Sequence, residues 1–174
     1  RSYRAPEVVL GLPYSHKIDV WSLGCILAEL LIGEVLFKNR NVQSLLAAWT
    51  ALLGPLPPHM LRQGKHTRLY YLRGRLFARP GPDAPDPRAF AYLVPRQTSL
   101  RARLGVAGDD LFAEFIAHLL TVDPARRPSA AEALRHPCMV RAARTQPERY
   151  GGPSAHAAAA RRSEDSTAGS VGAH

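Results

Sequence analysis

The most constraining feature of this sequence is an apolar run at positions 17–33, K-I-D-V-W-S-L-G-C-I-L-A-E-L-L-I-G. After the opening lysine, only Asp19, Ser22 and Glu29 interrupt it, so apolar side chains point in nearly every helical direction. A helix that is apolar on all sides must be surrounded by protein or by lipid. A bilayer requires roughly 20 mainly apolar residues, and this run is shorter and more polar. The run therefore predicts a buried central helix, ended by Gly33, against which the other segments pack.

Two further segments have the spacing of amphipathic helices. In residues 41–53 the apolar side chains recur at i, i+3, i+4 and i+7, and Asn41 is a suitable N-terminal cap. Residues 109–120 repeat this pattern and begin with two aspartates, which the helix dipole favours. Each segment has one apolar face, so we expect each to lie against the central helix. The predicted fold class is therefore mainly α.

The rest of the chain carries weaker structural signals. Prolines recur throughout residues 55–108, which predicts short pieces of regular structure in a long insert on the domain surface. Ser129 and Glu132 form a capping box that begins a last helix, and Pro137 is predicted to end it. Residues 141–174 are rich in alanine, glycine, serine and charged side chains, which indicates a disordered tail.

Composition disfavours several classes of function. The net charge of +9 is typical of nucleic-acid binders, but the arginines are scattered and lack the interleaved aromatics of a base-stacking surface. The sequence has two cysteines, Cys25 and Cys138, which are too few for a disulfide framework or a zinc site. Two reduced thiols are typical of a protein in the cytoplasm or the nucleus, which are reducing compartments. No segment predicts a secretory signal or a membrane span. We therefore expect neither nucleic acid nor membrane as a partner.

Motifs that hold phosphate or metal are absent from the sequence. Neither G-x-G-x-x-G nor G-x-x-x-x-G-K-[ST] occurs, and H-E-x-x-H is also missing. The histidines of the predicted helical part lie on different segments, without a serine or cysteine nucleophile beside them. Judged by its residues alone, the chain is a helical packing module with no catalytic, cofactor-binding or metal-binding residue.

Three motifs nevertheless resemble those of eukaryotic protein kinases, in the expected order and at suitable spacing. R-A-P-E at 4–7 resembles the motif that closes the kinase activation segment. I-D-V-W-S-L-G-C-I-L-A-E-L at 18–30 resembles the central helix F of the large lobe. L-L-T-V-D-P-A-R-R-P-S-A-A-E-A-L-R-H-P at 119–137 resembles the end of helix H and helix I. The resemblance implies that residues 1–140 form the C-terminal part of the large lobe, helices F to I, without the β-rich small lobe.

Flanking residues narrow this resemblance to one group of kinases. Tyr3 and Arg4 before A-P-E, together with the long segment between helices G and H, resemble the CMGC group. Residues 1–14 and 17–30 resemble the dual-specificity tyrosine-regulated kinases, the DYRK family. Residues 92–104 are similar to the plant and green-algal branch of that family.

The resemblance implies that five residues support catalysis structurally. Glu7 is expected to pair with Arg127 and to pin the activation segment to the large lobe. Asp19 is expected to hold backbone amides of the catalytic loop. Trp21 and Gly24 are expected to pack beneath that loop and the substrate-binding segment.

The resemblance also implies contacts with substrates and partners. Ser2, Tyr3 and Arg4 are expected to line the pocket for the residue that follows the phosphorylated serine or threonine. Arg4 is further expected to face an activation-loop phosphotyrosine, because its guanidinium matches a phosphate group. Protein substrates are the implied partners, and the helix G groove near Trp49 or the insert is the implied docking site for other proteins.

The implied activity is transfer of the γ-phosphoryl group of ATP, with Mg²⁺, to protein hydroxyls by a serine/threonine or dual-specificity kinase. The Gly-rich loop, the Lys–Glu pair, the H-R-D loop and the D-F-G metal ligand that this chemistry needs do not occur in these residues. We therefore expect the isolated chain to be inactive. The alternative is a non-catalytic, pseudokinase-like scaffold or protein-interaction module.

Overall fold

The computed structural model describes residues 1–79, 86, 89–106 and 110–145. The chain divides into two compact units, Arg1–Leu134 and Arg135–His174. The described helices of the first unit are α1 Pro6–Leu10, α2 Lys17–Ile32, α3 Val42–Leu53, α4 Pro58–Gln63, α5 Leu100–Leu104, α6 Leu111–Leu119 and α7 Ala130–Ala133. The second unit contains α8, Pro137–Thr145. The fold is therefore mainly α, as the sequence predicts.

Helix α2 is the central helix of the first unit, but only one side of it is buried. It ends as predicted at Gly33, whose φ of 76° is accessible to glycine at little cost. Its buried positions are Val20, Trp21, Gly24, Cys25 and Ala28. On the other side Leu23, Ile26 and Leu30 form an exposed apolar stripe, with Leu30 76% exposed. The prediction of burial on all sides is wrong, because no segment of the described chain covers this stripe.

Helix α3 forms where the sequence predicts it and contributes to an aromatic cluster. The Asn41 side chain accepts a hydrogen bond from the Ser44 amide at 2.8 Å, which confirms the predicted cap. Trp49 of α3 meets Trp21 of α2 edge to face, with ring centres 5.6 Å apart. Phe37 stacks on Trp21 at 6.0 Å and lies edge to face with Trp49. Three aromatic rings therefore join α2, α3 and the loop between them.

The described part of residues 55–108 consists of short pieces, as predicted. After a 3₁₀ turn at Thr67–Leu69, the strands β1 Tyr71–Leu72, β2 Arg75–Ala78 and β3 Ala91–Tyr92 form an antiparallel sheet in the order β1-β2-β3. Arg73 and Gly74 make the β1–β2 turn with φ values of 51° and 74°. The β2 register places Leu72 opposite Arg75 and Phe77 opposite Tyr92.

The prediction that these residues form an insert on the surface is wrong for most of the described pieces. Five of their buried side chains belong to the same hydrophobic core as Trp21 of α2. They are Leu56, Met60, Leu76, Leu100 and Leu104. The segment therefore completes the core, because α4, β2, α5 and the loop before α4 each contribute one or two large apolar side chains. Residues 80–85, 87, 88, 107 and 108 lie outside the described part.

Helix α6 begins at Asp110, whose Oδ1 accepts hydrogen bonds from the amides of Phe112 and Ala113 at 2.8 and 3.0 Å. This N-terminal cap agrees with one of the two predicted aspartates, while Asp109 lies outside the described residues. The inner face of α6 buries Ala113, Phe115, Ile116 and Leu119.

The end of the described chain differs from the sequence-based prediction. The Ser129–Glu132 capping box is present, and it begins the short helix α7. Pro137 does not end a helix but begins α8, because its fixed φ and missing N–H suit the first turn of a helix. The predicted disorder of residues 141–145 is wrong, since α8 extends to Thr145. The remainder of the predicted tail, 146–174, lies outside the described residues.

No helix in the described ranges combines the length and the apolar character that crossing a membrane requires.

The exposed stripe of α2 predicts that the isolated chain binds a hydrophobic dye. Replacing Ile26 and Leu30 by serine is expected to lower the fluorescence of bound dye by about half, because apolar surface is removed. Since both side chains are exposed, each change should alter the free energy of unfolding by at most about 0.5 kcal/mol. Dye titration and urea unfolding measure the two effects.

The matched control is Leu69→Ser, which removes a leucine that is 60% exposed outside α2. It should leave most of the dye signal in place. A wild-type chain that unfolds cooperatively and binds no dye would contradict the assignment of an uncovered stripe.

Candidate functional site

A bidentate ion pair between Glu7 and Arg127 is buried in the first unit. Arg127 Nη1 donates to Glu7 Oε1 at 2.7 Å, and Nη2 donates to Oε2 at 2.8 Å. The two residues are 0% and 1% exposed. Removing two charges from water is costly, and only good geometry with additional hydrogen bonds offsets that cost.

Backbone carbonyl groups supply those additional hydrogen bonds. Arg127 Nε donates to Thr121 O at 2.8 Å, Nη1 to Lys17 O at 3.0 Å and Nη2 to Val122 O at 3.1 Å. A guanidinium has five N–H groups, so the carboxylate and the three carbonyls account for all of them. The pair therefore joins helix α1, the start of α2 and the connector after α6.

The connector itself is held by its own polar contacts. The backbone oxygen of Asp123 accepts the amides of Arg126 and Arg127, and its Oδ1 accepts the Ala125 amide at 2.9 Å. Lys17 Nζ donates to Pro124 O at 3.1 Å. These bonds fix the turn that presents Arg127 to Glu7. The structure thus places the two residues together as the resemblance implies, while their role in pinning an activation segment stays a prediction.

Trp21 and Gly24 lie on the buried side of α2. The guanidinium carbon of Arg127 lies 5.1 Å from the centre of the Trp21 ring. A Cβ at position 24 would lie 3.0 Å from side-chain atoms of Leu119 and Leu120, so glycine permits the close approach of α2 to the end of α6. Both residues build the core, and their packing beneath a catalytic loop stays a prediction, because that loop is not part of these residues.

Residues 1–4 are anchored to α2 and to the loop that follows it. The Tyr3 hydroxyl donates to Glu29 Oε2 at 2.6 Å, and Ser22 Oγ donates to Tyr3 O at 2.9 Å. Asn39 Nδ2 donates to Ser2 Oγ at 2.9 Å. These contacts fix the backbone of a segment that has no regular secondary structure.

The sequence does not predict which side chains hold residues 1–4. It does identify two of them, Ser22 and Glu29, as polar interruptions of the apolar run. Ser22 and Glu29 are seven residues apart and therefore lie on one side of α2. The hydrogen bond to the carboxylate, helped by the nearby negative charge, raises the pKa of the Tyr3 phenol. Asn39 carried no signal, since it lies in a loop whose path the sequence pattern does not fix.

Asp19 and Arg4 line a shallow cavity of about 230 Å³ beside this segment. Both side chains are exposed, and within the described ranges neither has an ion pair or a side-chain hydrogen bond. Asp19 therefore has acceptors available for backbone amides, and Arg4 has donors available for an anion. Their predicted partners, a catalytic loop and a phosphotyrosine, stay predictions.

The residues present do not fit an ATP or magnesium site. Within the described ranges no group of three or more His, Cys, Asp or Glu side chains is placed to hold a metal ion. The sequence has no glycine-rich phosphate loop. Burial raises the pKa of the Cys25 thiol to about 12, so this thiol is not an activated nucleophile.

Comparison with known proteins identifies the class. The family model of the protein kinase domain matches residues 1–139. Serine/threonine-protein kinase AFC2 of Arabidopsis thaliana is 40% identical over 143 residues, 81% of this chain and 33% of the relative. Dual specificity tyrosine-phosphorylation-regulated kinase 3 of Homo sapiens is 38% identical over 149 residues, 79% of this chain and 25% of the relative. Dual specificity protein kinase CLK1 of Mus musculus is 36% identical over 140 residues, 79% of this chain and 28% of the relative.

The chain belongs to the protein kinase family. Its relatives are kinases of the CMGC group, which confirms the resemblance drawn from Tyr3, Arg4 and the motifs around them. The chain spans between a quarter and a third of the length of these three relatives.

The buried ion pair predicts a large loss of stability when one partner is removed. Glu7→Gln leaves the buried guanidinium without its counter-charge, so the free energy of unfolding should fall by about 3–5 kcal/mol. Urea unfolding measures the change. Glu114→Gln is the matched control, because it breaks the exposed Arg101–Glu114 pair and should cost at most about 1 kcal/mol. Equal losses in the two variants would contradict the central role of the buried pair.

The contact between Tyr3 and Glu29 predicts a titration effect. Glu29→Ala removes the hydrogen-bond acceptor and the negative charge, so the pKa of Tyr3 should fall toward its ordinary value. The near-ultraviolet absorbance of phenolate reports the titration, with Tyr3→Phe in each background to isolate its signal. Glu34→Ala, which breaks a carboxylate contact with Arg103 elsewhere, should leave the Tyr3 titration unchanged. An unchanged Tyr3 titration in Glu29→Ala would show that this contact is not formed in solution.

Proposed function

We propose that this chain is the substrate-positioning part of a protein serine/threonine or dual-specificity kinase. The whole kinase transfers the γ-phosphoryl group of ATP to hydroxyl groups of protein substrates, and residues outside this chain bind the ATP and Mg²⁺. The observation that carries the proposal is the buried Glu7–Arg127 pair, which fixes the R-A-P-E motif inside a chain that the protein kinase domain model matches over residues 1–139.

The contacts of residues 1–4 support a role in positioning. Phosphoryl transfer depends on holding the attacking hydroxyl in line with the phosphate, and such alignment removes a large part of the entropic barrier. Hydrogen bonds from Ser22 and Asn39, and to Glu29, hold this segment against the core. A substrate backbone lying along it would therefore meet a fixed surface.

The uncovered side of α2 supports a role within a larger domain. Asp19 lies one turn before Leu23, on the same side of the helix as Ile26 and Leu30. The stripe begins at the carboxylate of Asp19, which has no ion-pair partner within the described residues. Such a surface can bind a segment that brings apolar side chains to the stripe and backbone amides to the carboxylate. We assign this segment to the catalytic loop of the whole kinase, and Arg4 to an activation-loop phosphotyrosine.

The proposed setting is the cytoplasm or the nucleus, with proteins as substrates. Cys25 and Cys138 form no disulfide within the described residues, and this supports a reducing compartment.

The decisive experiment is to sequence the transcript upstream of the codon for Arg1. A continuous reading frame that encodes the H-R-D and D-F-G motifs would support the kinase. A start codon a few positions upstream would overturn it for this product and favour the non-catalytic scaffold.

We further predict that the isolated 174-residue chain transfers no phosphate. Incubation with radiolabelled ATP, Mg²⁺ and myelin basic protein should give no incorporation above the level without protein. An active kinase of the same group provides the positive control. Turnover that persists after further purification and is lost on Glu7→Gln substitution would contradict this prediction.

A further inference from the structure

Two adjoining apolar cavities lie between α3, α4 and the β1–β2 hairpin. The first encloses about 540 Å³, and apolar side chains that include Leu56, Leu76 and Leu93 line it. The second encloses about 340 Å³ and includes Thr67 in its lining. Both are lined by Pro58, Leu61, Tyr71 and Gly74, so together they form one surface, which we call the hairpin groove.

The lining of the two cavities favours uncharged, apolar side chains of a bound partner. Thr50 at the first cavity already donates its hydroxyl to Leu46 O at 2.9 Å. Burial raises the pKa of Tyr71, whose phenol lies between the two cavities, to about 12. A volume of several hundred Å³ suffices for a bulky side chain such as leucine or phenylalanine.

The segment that builds most of the groove is strongly basic. Residues 54–79 contain six Lys and Arg residues and no Asp or Glu, and all six are exposed. Arg75 lines the first cavity and Arg62 lines the second. Across the described part of the chain, none of the six forms an ion pair with a carboxylate. Each cavity therefore has one unpaired guanidinium at its edge.

The position of Arg75 is fixed by a neighbouring ring. Its guanidinium carbon lies 4.0 Å from the centre of the Tyr92 ring, a distance typical of a cation–π contact. The contact uses the face of the guanidinium and leaves its N–H groups available for a carboxylate. Because the side chain is already ordered, less entropy is lost when it binds an anion.

We propose that the hairpin groove docks an acidic peptide segment of another protein, with an apolar side chain in each cavity and carboxylates on Arg62 and Arg75. Two adjoining apolar cavities match two side chains of one segment, and the unpaired guanidinium groups match its negative charges. Single-stranded nucleic acid matches less well, because base stacking needs open aromatic faces. Tyr71 is half-buried, and Arg75 covers one face of Tyr92. The interaction requires neither ATP nor a catalytic loop and is independent of the proposed kinase activity.

The test measures binding of a short fluorescent peptide, with two leucines spaced among glutamates, to the full 174-residue chain. Fluorescence anisotropy gives the affinity at several salt concentrations. The double variant Arg62→Glu, Arg75→Glu should weaken binding by about tenfold or more, because it reverses both rim charges. The matched control is Lys65→Glu, Arg68→Glu, which changes the net charge equally at exposed positions that do not line either cavity; we expect less than about threefold weakening.

A second variant tests the apolar contact without changing charge. Val94 lines the first cavity and is 81% exposed, so Val94→Ser should leave the fold intact and weaken peptide binding severalfold. Circular dichroism and urea unfolding confirm that each variant is folded.

Three outcomes would overturn the proposal. They are equal weakening in the two double variants, absence of peptide binding to the wild-type chain, and displacement of the peptide by a short RNA that binds more tightly. The first and third would indicate a general basic surface, and the second would indicate that the groove has no acidic partner.

Discussion

The Glu7–Arg127 ion pair is the contact on which the arrangement of the first unit depends. Helices α1 and α7 have five and four residues, too few for a helix to persist on its own in water. The pair links α1 to the start of α2 and to the connector that leads into α7. Because the partners are 120 residues apart, these short elements are ordered only when the whole unit is folded.

The two sides of α2 have different surroundings. One side holds Trp21 against Phe37 and Trp49, and Gly24 lets α6 approach closely. The other side presents an apolar stripe that no described segment covers. The core side keeps the helix in place, while the stripe is exposed apolar surface of the kind that marks interaction sites.

Local features of the structure could be predicted from sequence, and long-range features could not. Periodicity and capping chemistry identified the α3 helix, its Asn41 cap and the Ser129–Glu132 box, because these depend on neighbours within one helical turn. The core position of Leu76 and the contact between Tyr3 and Glu29 depend on chain segments far apart, which periodicity does not relate. The Glu7–Arg127 pair came only from the resemblance to kinases. Its two side chains carry no local signal of burial.

Helix α3 packs against α2, which anchors residues 1–4, and it also contributes to the hairpin groove. Trp49 packs against Trp21 in the core, while the next residue, Thr50, lines the first cavity. Strand β2 also has neighbouring residues in the core and at the groove, because Leu76 lies in the core and Arg75 lines the first cavity. Because both surfaces are built on one packed core, a partner in the groove is held at a fixed distance from residues 1–4. On the proposed function of residues 1–4, docking in the groove would raise the effective concentration of a tethered substrate without any conformational change, provided that the tether is long enough to reach those residues.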